Sequence, residues 1–292
     1  MANAPLTLSH GDWQMALAPE LGGSILSLDY QGQAVMRRSG GSSIWDVASY
    51  PLVPFSNRIA HGRFSAQGQQ VTLAPNFPGS DHPHTIHGFG WLAAWDVLQR
   101  GTNHAKLAYD HPAGEWPWAF AATQDFTLDD AGLMLTLSLT NHGDTPMPAG
   151  LGIHPYFPRD AETLYHGLHR GEWTNTPDCL PLSLEEQPHA IDWWHGAPVG
   201  DRTVDTAYTG RAGPLTLGWP DRDLALTITP SDNLGCTVVY TPHGEDYVCV
   251  EPVSHITDAV NRDGDTGLAW LAPGETMVAS IRFAIAFDAH SG

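Results

Sequence analysis

At 292 residues, 42% hydrophobic and 15% charged, the chain holds enough apolar material for a sizeable core and is not of disordered composition. Its 32 acidic against 13 basic side chains give a formal charge of −19, a field that repels phosphate backbones and anionic headgroups and disfavours nucleic acid or membrane as partners. Thirty Gly and 23 Pro exclude a helical bundle and suit short strands joined by turns.

In chain order, the first strong pattern is Leu133, Leu135, Leu137 and Leu139 alternating with Met134, Thr136, Ser138 and Thr140. That is the period of a half-buried strand. The stretch 159–200, with Pro177, Pro181, Pro188 and Pro198, reads as loops around a mouth. Residues 215–219 are strand-like, and Leu224, Leu226 and Ile228 then alternate with Ala225, Thr227 and Thr229. Residues 238–240 and Tyr247–Val253 follow, and Met277, Ala279, Ile281, Phe283, Ile285 and Phe287 share one face of the last run. Turn residues punctuate the chain at Pro78-Gly79, Asp129 to Gly132, Asn141 to Asp144 and Pro273 to Glu275. These patterns predict an all-β fold, a large antiparallel β-sandwich, as a single domain over residues 1–292, since no repeat or linker divides the chain.

Cys179, Cys236 and Cys249 are odd in number and form no CxxC pair, which points away from a disulfide framework or a cysteine-based zinc site and toward a reducing compartment. The first residues lack a basic and then apolar leader, and no window approaches 18 consecutive apolar residues, so a cytoplasmic location without a membrane span is expected. Lys106 is the one lysine, and its neighbours give no sign of an activated amine.

Several side chains could carry chemistry. Arg58, between aromatic and aliphatic neighbours, could clamp vicinal oxygens or be a surface charge. His82 and His84 could share a strand face as metal ligands, although Pro83 between them argues for a loop. In the alternative, His87 stands on a polar rim, with Gly88 letting a ligand approach. Eleven Trp permit stacking on sugar C–H faces, with core packing as the plainer reading for each, and Trp91 is the candidate near His87. His154, among Pro155, Tyr156 and Phe157, suits an imidazole that donates a proton from one geometry, or a hydrogen-bonded structural histidine. Asp205 could accept from hydroxyls or cap a turn. Glu251 ends an apolar strand on the face of Tyr247, Cys249 and Val253, where desolvation raises a carboxyl pKa as a general base needs; otherwise it reaches solvent before Pro252.

Together Gly22-Gly23, Pro54-Phe55-Ser56-Asn57-Arg58-Ile59, His87-Gly88, Gly152-Ile153-His154-Pro155-Tyr156-Phe157, Val204-Asp205, Val248-Cys249-Val250-Glu251-Pro252, Asp258-Ala259-Val260-Asn261 and Leu271-Ala272-Pro273-Gly274-Glu275 form an ordered set. Running from about residue 20 to 287, the set resembles the aldose 1-epimerase (mutarotase) family. The resemblance implies an antiparallel β-sandwich with a sugar in an open cleft, Glu251 as general base, His154 as general acid, and Arg58, His87 and Asp205 as sugar-binding residues. It implies anomer exchange of an aldose without metal, nucleotide or covalent intermediate, and a bell-shaped pH dependence, the glutamate titrating below and the histidine above the working pH. The −19 field favours a neutral hexose. A 6-phospho or 6-sulfo aldose would need cations such as Arg37, Arg38, Arg58 and Arg63. A non-catalytic sugar-binding protein, a glycoside hydrolase using Glu251 and Asp205, and a cupin-like metal enzyme are the competing readings. Oligomeric state is not legible.

Overall fold

The computed structural model describes residues 4–39 and 42–286. Its first four strands, Leu6–His10, Trp13–Ala18, Ser24–Tyr30 and Gln33–Met36, pair in chain order as an antiparallel meander. A fourteen-stranded antiparallel sheet holds most of the remainder. From one edge it runs through Asp96–Arg100, His104–His111, Phe120–Asp129, Gly132–Asn141, Thr276–Ile285, Leu224–Pro230 and Asp205–Trp219. It continues through Cys236–Tyr240 and Tyr247–Val253 to the short pieces Gly152–Ile153 and Pro51–Leu52. Among the described residues the only helical turns are three-residue 3₁₀ segments, and no helix is long and apolar enough to cross a membrane.

The expected sandwich is present, and its core is built by period-two alternation. In Gly132–Asn141 the four leucines at 133, 135, 137 and 139 are buried while the residues between them are partly open. Phe120–Asp129 alternates in the same way along its whole length. One buried cluster joins these leucines to Leu6, Leu8, Trp13, Met15 and Leu17 of the meander, so the two sheets share a core. Each such side chain contributes about 1.5–3 kcal/mol by leaving water. In the last strand Ala279, Ile281 and Phe283 are buried as the pattern requires, and Phe287 lies outside the described residues. All three cysteines are free.

The expectation of loops over 159–200 is corrected. Two twelve-residue strands, Leu164–Asn175 and Pro181–Asp192, occupy most of it and pair antiparallel. In the first, the inward positions are Tyr165, Gly167, His169 and Gly171, so the alternation carries no aliphatic signal. The second pairs only with the first. On such an edge, Pro188 and a largely polar sequence cost no ladder bonds. The turn between them does lie at a mouth, because Asp178 reaches His84 and Asn175 donates to the Asp205 carbonyl.

Candidate functional site

Strand register brings His154 and Glu251 together. On the edge of Tyr247–Val253, Gly152 pairs with Val253 and Tyr156 with Cys249. Counting inward from both pairs sets His154 opposite Glu251. Pro155 has no N–H to give the ladder, and the chain leaves the sheet there: the His154 N–H donates to the Tyr50 carbonyl and the Tyr156 N–H to the Ala48 carbonyl. The interruption lets the imidazole turn, and His154 Nε2 lies 3.3 Å from Glu251 Oε1. Tyr50 and Tyr156 flank the imidazole, each with its ring centroid 4.7 Å away.

A second group forms around Arg58. Its Nη2 donates to Asp205 Oδ2 at 3.2 Å, its Nη1 to Asn57 Oδ1 at 2.9 Å, and its Nε to His82 Nε2 at 3.2 Å. Each nitrogen of the fork is therefore held, with one N–H on each Nη left uncommitted. Asn57 and His87 both take left-handed backbone angles and lock to each other. The Asn57 N–H donates to His87 Nδ1 at 3.2 Å, and the His87 N–H to the Asn57 carbonyl at 2.9 Å. With Nδ1 accepting, the proton of a neutral His87 sits on Nε2, and the ring borders the cavity. Gly88 serves a different purpose from the expected ligand approach, since a Cβ there would stand 2.1 Å from the Val53 carbonyl oxygen. What approaches Gly88 is the protein's own backbone.

These groups line one cavity of about 190 Å³, open to solvent, whose walls are Glu251, His154, His87, Arg58, Asp205 and Asn57 with Trp45, Tyr50, Phe77, Ile86, Tyr156, Tyr240 and Tyr247. Sites for drug-sized ligands run to about 300–1,000 Å³, so this one fits a smaller, polar molecule. Five of the six expected site residues meet here. The sixth, Trp91, does not reach the cavity. It is fully buried, its ring against Trp45, Tyr50 and His87, and it supports the wall from behind. The aromatic walls of the cavity are instead side chains the sequence reading left unassigned, notably Tyr240 and Tyr247 on neighbouring strands.

His82 and His84 do not converge on a common point. His82 Nε2 accepts from Arg58, while His84 Nδ1 accepts from the His61 N–H and its Nε2 meets Asp178 at 3.2 Å. Their ring nitrogens orient the rim and the turn beside it.

Burial governs the protonation of the pair. It lowers His154 to about 3, aided by the charges of Arg37 and Arg58. It raises Glu251 well above the ordinary carboxylate range, with Asp205 adding to the effect and Arg58 opposing it. This reverses the expected order, in which the glutamate titrates below the histidine: the dry pocket penalises either charge alone. Both shifts favour the neutral forms, an imidazole beside a carboxyl with one proton on the pair. Moving that proton across the 3.3 Å contact would give imidazolium and carboxylate with no change in total charge. Burial, then His154, lower His87 as well, keeping it a neutral donor.

A sequence profile of the aldose 1-epimerase family matches residues 5–284. The uncharacterised protein YphB of Escherichia coli K12 is 29% identical over 285 residues, 94% of this chain and 96% of that one. Also from Escherichia coli K12, the crystal structure of a candidate aldose 1-epimerase superposes with a TM-score of 0.89 at 29% identity, covering 97% of this chain and 99% of the other. A galactose mutarotase-like protein from Clostridium acetobutylicum shares the fold with a TM-score of 0.85 at 18% identity, over 96% and 94% of the two chains.

Proposed function

The chain belongs to the aldose 1-epimerase family, and we propose that it interconverts the α and β anomers of a neutral aldohexose by acid–base ring opening and closure. The observation that carries this reading is the buried His154–Glu251 contact on the wall of a small polar cavity. Anomer exchange needs a proton taken from the C1 hydroxyl and another given to the ring oxygen. C1 then rotates about the C1–C2 bond and the ring closes on its other face. Glu251 as carboxylate takes the first proton and His154 as imidazolium gives the second; for closure they exchange roles. Water mutarotates sugars unaided, so a placed acid and base, each worth about 10²–10⁴-fold, are sufficient. Arg58, held by Asp205 and Asn57, and His87 through Nε2–H are the donors that orient the sugar.

Neutrality of the substrate is supported by where the cations go. Arg58 is paired with Asp205. Arg37 stacks behind Tyr156 at 3.7 Å and donates to the Val47 and Trp45 carbonyls. Arg38 pairs with Asp29, and Arg63 is exposed on a strand outside the cavity. A phosphate or sulfonate at C6 would meet no unpaired arginine or lysine among the described residues of the cavity wall, where Arg58 is already paired.

The test is anomer exchange by NMR on a panel of neutral, uronic, 6-phospho and 6-sulfo aldoses. Acceleration of a neutral hexose above buffer is expected. Preference for an anionic aldose would overturn the substrate class. No acceleration anywhere, or release of reducing sugar from an aryl glycoside, would overturn the reaction.

His82 is the support whose loss isolates sugar positioning. It stacks on Phe77 at 5.4 Å and accepts from Arg58 Nε. His82→Phe keeps the stacking and removes the acceptor, and is expected to raise KM roughly two- to tenfold, the worth of about 0.5–1.5 kcal/mol for one hydrogen bond. The turnover number should stay close to the parent's, and His82→Gln should recover most of the loss. Steady-state kinetics decide it: a fall in kcat as large as the rise in KM would assign His82 to the chemistry itself.

A further inference from the structure

Period two sets Cys249 on the same face of its strand as Glu251, two residues earlier, and the register that faces Glu251 with His154 faces Cys249 with Tyr156. Donor atoms of His154, Cys249 and Glu251 consequently lie within 4.8 Å of one another, on three buried side chains. We propose that these three residues form a binding site for a thiophilic divalent cation, zinc above all, and that the bound ion shuts the site down by holding both the acid and the base. Unpaired cysteines argue against a zinc centre when the sequence is read alone, because no CxxC spacing is present; the fold supplies the missing ligands from a distant loop and from the next inward position of the strand.

Three observations carry this. First, two ligands on one tetrahedral zinc, with bonds of about 2.0–2.2 Å, stand roughly 3.4 Å apart, and His154 Nε2 and Glu251 Oε1 are already 3.3 Å apart. Second, a lone pair is free: among the described residues Glu251 Oε2 is buried without a hydrogen-bond partner. Third, the charges cancel. A thiolate, a carboxylate and a neutral imidazole about a dication sum to zero, whereas each anion alone is penalised by the dry surroundings. Two of the three ligands border the open cavity, so an ion has an entry path and a fourth position that water can fill, the arrangement of an open zinc site. The site lacks the orienting partner that a dedicated centre gives its histidine, an absence that costs roughly 10–100-fold in affinity. It is therefore an inhibitory site filled when zinc rises, and magnesium, which requires hard oxygen ligands, does not compete.

The site itself stands on geometry; only its effect on turnover rests on the proposed anomer exchange. The test titrates the reduced, full-length protein with zinc against a chelating dye and repeats the titration on Cys249→Ala. One zinc per chain is expected for the parent, with affinity at least tenfold weaker in Cys249→Ala, which keeps its anomer exchange and loses zinc inhibition. Cobalt in the unaltered protein provides a readout independent of the variant's folding, as a thiolate-to-cobalt absorption band in the near ultraviolet. No zinc bound at 100-fold excess over protein, equal affinity in a folded Cys249→Ala, or no thiolate band at saturating cobalt would each overturn the site. If zinc binds as described while the zinc-free protein turns over no aldose, the proposed activity fails and the metal site remains.

Discussion

Glu251→Gln is expected to fold, to bind sugar with little change in affinity, and to lose about 10²–10⁴-fold in kcat, the usual worth of a positioned general base. The amide has nearly the volume of the acid, so the packing around a side chain only 2% exposed is kept. It cannot take a proton from the C1 hydroxyl, and it cannot pass one to His154 across their 3.3 Å contact. Since Arg58, Asp205, Asn57 and His87 are held mainly by one another, the sugar should still be oriented. A loss carried in kcat with KM nearly constant means that the interaction matters in the transition state and not in the ground state. Single-turnover anomer exchange followed by NMR measures it. A variant that exchanges anomers at the parent rate removes Glu251 as the base.

The same substitution should stabilise the fold, and the sign follows from burial. Glu251 has a folded pKa raised above that of the unfolded chain. Its protonated form therefore contributes stability that is fully present below the unfolded pKa and lost as pH rises through the folded one. Glutamine never pays for ionisation, so the melting temperature of the variant should pull ahead of the parent as pH rises above the unfolded carboxylate value toward the raised folded one. The steepest slope available to one proton is about 1.4 kcal/mol per pH unit.

Which parts of this site were legible in the sequence follows from how local each signal is. Glu251 was legible because one carboxylate in a seven-residue apolar strand is out of place whatever surrounds it. Leu133 to Leu139 declared their strand because all four inward positions are the same aliphatic residue. Leu164–Asn175 has the same alternation, but its inward positions are tyrosine, glycine and histidine, and no hydrophobic count registers them. Tyr240 and Tyr247 became part of the cavity only through the pairing of their strands. Trp91 was misjudged for a complementary reason: an indole suits a sugar face and a dry core equally, and only position in the fold chooses between them. The proton count of the His154–Glu251 pair was the least legible feature. Sequence could name both residues, but their pKa order depends on how completely water is excluded from both together.

That order makes His154 the sharper test. His154→Gln is expected to cost about 10²–10⁴-fold in turnover. Combined with Glu251→Gln it should cost little more than either alone, because the two residues hold one proton between them and act as a unit. In the parent, with a chelator present, the active form is the one-proton pair. It gains a second proton only near the lowered His154 value of about 3, and loses its proton only above the ordinary carboxylate range. Turnover, corrected for the buffer-catalysed rate, should thus show no acid limb between pH 5 and 6.5, where a solvent-exposed histidine would titrate, and should decline on the alkaline side alone. An acid limb inside that interval would mean that the two side chains titrate independently. Strict additivity of the two substitutions would say the same by a separate route, and either result would replace the shared proton with two separately ionising groups.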